Sequence, residues 1–158
     1  MKKKAFSLIE VLLAIILIGL AVASLLVANS SFTEANGVGT NLSTAQFLIE
    51  QIRELTTLLP VIDPQTDTAF FGAEEASLTD YDDLDDFDSK VFSPPISADR
   101  QSLNDFAAWY QQITVENVNP ANFQHVESDH STDFVRITVR VLLNFEEISS
   151  TSWIRALY

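Results

Sequence analysis

The sequence predicts an α+β chain: one long N-terminal helix, membrane-spanning in its first half, whose outer half packs on a small antiparallel β-sheet. Three observations predict it. An uninterrupted apolar stretch runs from Phe6 to Ala28, a helical stripe continues to Leu59, and the apolar period changes to two after Trp109.

The apolar stretch FSLIEVLLAIILIGLAVASLLVA has 23 residues, roughly 35 Å as an α-helix. A hydrocarbon core is about 30 Å thick, so residues 6–28 read as a transmembrane helix. Lys2, Lys3 and Lys4 precede it and no base follows until Arg53. That asymmetry places the N-terminus in the cytoplasm and the rest of the chain across the membrane. Ala21-Val22-Ala23 offers a small-x-small exit, so a signal-peptidase cut is the alternative. The one ionisable residue inside the span is Glu10, and an acid at mid-bilayer costs about 2.5–3.5 kcal/mol on insertion scales. Near the cytoplasmic end it reads either as a tolerated interfacial carboxylate or as a charge awaiting a partner in an assembly.

Beyond the span, residues 29–59 turn polar but keep an apolar stripe: Leu42, Ala45, Leu48 or Ile49, Ile52, Leu55 and Leu59. Glu50, Arg53 and Glu54 fall on other faces, and Pro60 ends the run. Gly37 and Gly39 each cost about 1 kcal/mol relative to Ala in a helix, which predicts a bend or break there. Residues 60–108 read as a long loop, with Pro60, Pro64, Pro94 and Pro95 and little periodicity. Residues 109–158 read as the sheet. Ile113 and Val115 alternate with polar neighbours, and Val135, Ile137, Val139, Val141 and Leu143 do the same. Trp153–Tyr158 reads as a third strand, and Asn117–Asp133 and Asn144–Thr151 read as the connecting turns. Trp109 and Tyr110, opening the first strand, read as packing residues.

Charge and composition exclude several function classes. Nine Lys and Arg stand against 22 Asp and Glu in 158 residues, a net −13, and the residues from Asn29 onward carry −15. A phosphate-bound partner such as a nucleic acid needs neutralising bases, so none is expected. With no cysteine there is no disulfide, thiolate metal site or cysteine nucleophile. The sequence has no Walker-type glycine loop, no G-x-S-x-G and no HExxH, and makes no case for an enzyme or a bound cofactor. His125 and His130 lie five apart among acids and read as part of an exposed turn. The acidic run Asp80-Tyr81-Asp82-Asp83-Leu84-Asp85-Asp86-Phe87-Asp88 has two readings. The favoured one is a solvated loop pinned by Tyr81, Leu84 and Phe87, its charges screened by diffuse ions. The other is a calcium loop using Asp82, Asp83, Asp85 and Asp86, although the run lacks the EF-hand pattern.

The segment Lys2-Lys3-Lys4-Ala5-Phe6-Ser7-Leu8-Ile9-Glu10, followed by the apolar span, resembles the processing site of type IV pilins and type II secretion pseudopilins. That resemblance implies a pilin-like fold and a leader of residues 1–5 removed by prepilin peptidase between Ala5 and Phe6. It also implies methylation of the new amine of Phe6, and a Glu10 that pairs with the N-terminal amine of a neighbouring subunit. The implied partners are other pilin or pseudopilin subunits, the prepilin peptidase and an inner-membrane assembly platform. The implied location is the inner membrane, with the C-terminal domain periplasmic, and then an extracytoplasmic filament. This chain has Ala5 where the family usually has Gly, and lacks the proline many major pilins carry late in the helix. The acidic run, Ser93-Pro94-Pro95 and Trp109 leading into Ile113–Pro120 resemble a branch of minor pilin-like proteins. That branch is related to mannose-sensitive haemagglutinin pilus protein D and to pilus modification protein V. The expected role is therefore a minor pilin or pseudopilin. The rivals are a minor pseudopilin of a type II secretion system and a membrane-anchored periplasmic binding or adhesion module.

Overall fold

The computed structural model describes residues 7–61, 71–73 and 75–157. In chain order they form α1 (Leu8–Thr56), a 3-10 turn at Asp85–Phe87, β1 (Val91–Phe92) and a second 3-10 turn at Asn104–Phe106. Then follow β2 (Trp109–Asn119), β3 (Asn122–Val126), β4 (Phe134–Leu143) and β5 (Glu146–Ala156). The arrangement is α+β, a long helix with a small antiparallel sheet, and the chain separates into two units, Met1–Thr40 and Asn41–Tyr158.

The described part of the first unit is helix. Every described side chain from Ser7 to Thr40 is exposed, including Leu12, Ile15, Ile16, Leu20, Leu25 and Leu26. Such a surface marks a segment whose solvent is lipid or another protein. The hydroxyl of Ser24 donates to the Leu20 carbonyl at 2.8 Å, which satisfies its proton inside the span. The predicted break at Gly37 and Gly39 does not occur, and α1 is one unbroken helix of 49 residues. Propagation is cooperative once a helix is nucleated, so two glycines in a segment this long cost too little to end it.

In the second unit, Ala45, Leu48, Ile49, Ile52 and Leu55 of α1 are buried against the sheet. Leu42, predicted to start this stripe, is instead 51% exposed and faces the same side as Phe47. The helix ends at Thr56, three residues before the predicted Leu59, where the Arg155 guanidinium donates to the Thr56 carbonyl at 2.6 Å. Leu59 still packs against the core from the following turn.

The sheet order is β1-β2-β4-β5, all antiparallel, with β3 paired to the end of β2. Period-two alternation sends Trp109, Ile113 and Val115 of β2 and Val135, Ile137, Val139 and Val141 of β4 into the core. Tyr110, on the other face of β2, lies 4.7 Å from the Phe145 ring. Gln111 is a buried amide in this row of β2, as is Asn117, and it is fully used. Its Oε1 accepts from the Ile96 N–H at 2.7 Å, while its Nε2 donates to the carbonyls of Leu48 (2.9 Å) and Ile96 (3.2 Å). It therefore links helix, loop and sheet.

Three predicted turns or loops hold more structure than expected. The segment 117–133 contains β3, and 144–151 contains the first half of β5, whose tight turn is Asn144-Phe145 with φ of 50° and 71°. The 60–108 segment contains β1 and both 3-10 turns, and buries Leu84, Phe87 and Ile96 in the core.

Candidate functional site

Two places carry chemistry. The first is the start of α1. Ser7 stands at the N-cap and Glu10 three residues on. The Ile9 N–H donates to Ser7 Oγ at 3.2 Å, and the Ser7 N–H donates to Glu10 Oε2 at 3.1 Å. This is a capping box, in which two helix-end N–H groups are satisfied by side-chain oxygens. The carboxylate also sits at the positive end of the helix dipole, which stabilises it there by about 0.3–1 kcal/mol in exposed settings. Glu10 thus has a local partner before any assembly, which lowers the cost of holding an acid in the span. The pattern Ser-x-x-Glu ahead of an apolar run is visible in the sequence, yet Ser7 was not among the predicted site residues. Ala5 and Phe6, the predicted processing pair, lie outside the described residues.

The second place is the acidic run, where the predicted solvated loop holds for the exposed Asp80 and Asp82 and fails for its middle. Asp83, Asp85 and Asp86 are buried, at 0%, 2% and 0% exposure. Leu84 and Phe87 sit in the core as predicted, with Tyr81 edge-on to Phe87 at 5.2 Å, and they carry the flanking aspartates inward. The run then caps itself. Asp86 Oδ2 accepts from the N–H groups of Asp82 (2.9 Å) and Asp83 (3.4 Å), and Asp83 Oδ1 accepts from the Asp86 N–H at 3.1 Å. Burial pushes the Asp86 carboxyl pKa up from its ordinary value and the neighbouring Asp83 charge adds to the rise, while hydrogen bonds from the Glu75 side chain and the backbone oppose it.

Sequence reasoning also misplaced His130. It reaches the acidic run, with Nε2 3.4 Å from Asp85 Oδ2 and its ring 4.8 Å from Phe71. Asn117, buried at the end of β2, positions that loop. Its Oδ1 accepts the His130 N–H at 2.5 Å and its Nδ2 donates to the carbonyls of Thr132 (2.8 Å) and Phe134 (3.2 Å). His125, on β3, is exposed as predicted.

The second unit also has an open depression on α1 lined by Leu42, Ser43, Gln46, Phe47 and Glu50, and a cleft lined by residues 57–61 with Arg155 and Ala156.

No curated protein and no solved structure matches the chain significantly. The family model described as the prokaryotic N-terminal methylation motif matches residues 1–26, which takes in the basic tip, Ala5-Phe6, the Ser7–Glu10 capping box and most of the apolar span. The chain therefore carries a prepilin-type N-terminus, which supports its resemblance to the type IV pilin-like family and anchoring by α1 in the inner membrane.

Proposed function

We propose that the chain is a minor pilin or pseudopilin subunit. Prepilin peptidase removes residues 1–5 by cutting between Ala5 and Phe6, the new amine of Phe6 is methylated, and the product joins a type IV pilus-like filament through α1. The observation that carries the reading is the coincidence, in one helix, of the methylation motif, a wholly exposed apolar surface and a capped Glu10. A capping box alone would serve any helical anchor, but the methylation motif around Glu10 points to a second use for its carboxylate. In a subunit that must locate the N-terminal amine of its neighbour, the carboxylate, held locally by one backbone N–H, gains a full counter-charge on assembly. The resemblance of residues 80–143 to minor pilin-like proteins supports a low-abundance component. The domain after the span is then periplasmic, and its partners are other subunits and the assembly platform.

Glu10→Val tests the reading. The variant inserts into the membrane at least as well as wild type, since an intramembrane acid is gone. Its incorporation into sheared filaments falls at least tenfold. Wild-type incorporation overturns the assembly role.

A further inference from the structure

The sheet has two edges of unequal length. The order β1-β2-β4-β5 leaves β1 at one side and β5 at the other. β1 has 2 residues, a blunted edge, whereas β5 runs for 11. Register decides which backbone groups of β5 are spent. Phe134 faces Ala156 and Val141 faces Ser149, and one step past that ladder the Leu157 N–H donates to the Asp133 carbonyl at 2.7 Å. In an antiparallel pair, directly opposed residues alternate between exchanging hydrogen bonds and not exchanging them. Asp133 and Leu157 are of the first kind, so Arg155, Trp153, Thr151 and Ser149 turn their N–H and C=O groups towards β4. Ser150, Ser152 and Ile154 turn theirs to the free edge. All three residues are exposed, and no other strand or loop among the described residues pairs with those groups.

Open edges invite pairing, and proteins close them with Pro, Lys, short strands or bulges. β5 contains no Pro and no Lys. Its bulge, where Leu142 faces Glu147, lies near the start and leaves residues 149–156 regular. Its base, Arg155, is turned to α1 and donates to the Thr56 carbonyl at 2.6 Å.

We propose that the free edge of β5 is a docking strand for an extended segment of another protein, one that alternates apolar and polar residues and carries Lys or Arg beside Glu146. Main-chain hydrogen bonds to Ser150, Ser152 and Ile154 supply the affinity, and the pleat sorts the side chains. On the α1 side the added strand meets Trp153, which is partly buried against the core and has the Arg53 guanidinium 4.8 Å from its ring centroid. Apolar residues fit there. On the other side it meets the hydroxyls of Ser150 and Ser152, which suit polar residues. Glu146 is exposed at the start of the strand, and the residues from Asn29 onward carry −15. A basic segment is therefore attracted and a second copy of this chain repelled. Docking here needs only the second unit and does not rest on polymerisation through α1.

The test uses the full-length chain in detergent micelles and the end-blocked, fluorescently labelled peptide Lys-Val-Thr-Val-Thr-Val-Lys. In the dilute free chain, amide exchange read by NMR is expected to be fast at Ser150, Ser152 and Ile154 and slow at Thr151 and Trp153. The peptide should bind with a Kd below about 1 mM and slow exchange at the first three at least fivefold, leaving Thr151 and Trp153 unchanged. Its acidic counterpart, with Glu for both Lys, should bind at least tenfold more weakly. Ser152→Pro removes one outward N–H and no bond to β4, so peptide binding should fall at least tenfold in the folded variant. Where that variant does not fold, the exchange pattern of the wild-type chain decides. Slow exchange at Ser150, Ser152 and Ile154 in the dilute free chain would mean an edge already covered, and protection that grows with chain concentration alone would mean a second copy. Either result overturns the docking strand as stated. So does a peptide that does not bind, an acidic peptide that binds equally, undiminished binding in folded Ser152→Pro, or protection that misses the three residues.

Discussion

Gln111→Leu removes the one buried amide that links α1, the loop and the sheet, at nearly constant volume. The lost bonds run to the Ile96 N–H at 2.7 Å and to the carbonyls of Leu48 and Ile96 at 2.9 and 3.2 Å. They are not equal. Leu48 is inside α1, where its carbonyl already serves the helical ladder, so that loss is small. Ile96 is 4% exposed, and water cannot replace the amide there. An orphaned buried donor or acceptor costs about 1–3 kcal/mol, and added apolar contact from leucine returns part of it. The net destabilisation expected is about 2–4 kcal/mol, a large share of a total of about 5–15 kcal/mol. Urea unfolding of the full-length chain in detergent, read by Trp109 and Trp153 fluorescence, measures it. With a slope of about 1–3 kcal/mol per molar urea, the midpoint falls by roughly 0.7–4 M. A midpoint unchanged within about 0.3 M would refute the claim that this amide holds the three elements together.

Leu48→Ala and Leu42→Ala separate the buried face of α1 from the exposed one. The first should cost about 2–5 kcal/mol in the same unfolding assay and the second less than about 0.5 kcal/mol. Ser7→Ala removes half of the capping box and should cost about 0.5–2 kcal/mol at the start of α1. That loss is read as faster amide exchange at Ile9 in micelles, with exchange beyond the first two turns unchanged.

What could be read from the sequence follows from where a pattern faces one solvent. The span and the Ala45–Leu55 stripe were legible because each presents a continuous apolar face. β4 was predicted at 135–143 and found at Phe134–Leu143, because its residues alternate between core and outer face. The first half of β5 and all of β3 were missed. Glu146–Ser152 has no fully buried residue and every side chain of β3 is exposed, so no alternation betrays them. Leu42 was misassigned because three- and four-residue steps do not say where along α1 the sheet begins. The acidic run misled for a different reason. Charge density argues for solvent, but Leu84 and Phe87 lie between the aspartates, and their burial takes the acids inside. His130 came to that cluster through Asn117, whose contacts span 13–17 residues and leave no local signature. The Ser7–Glu10 capping box is legible in the sequence as Ser-x-x-Glu ahead of an apolar run.

The central claim, a processed filament subunit, is tested most directly by the intact mass of the chain recovered from cells that express a prepilin peptidase. The account predicts a product lacking Met1–Ala5, beginning at Phe6 and carrying one added methyl group on its N-terminal amine, with Ala5→Gly reaching that product faster. A chain that retains its leader in the presence of active peptidase, or one cut after Ala23, contradicts it.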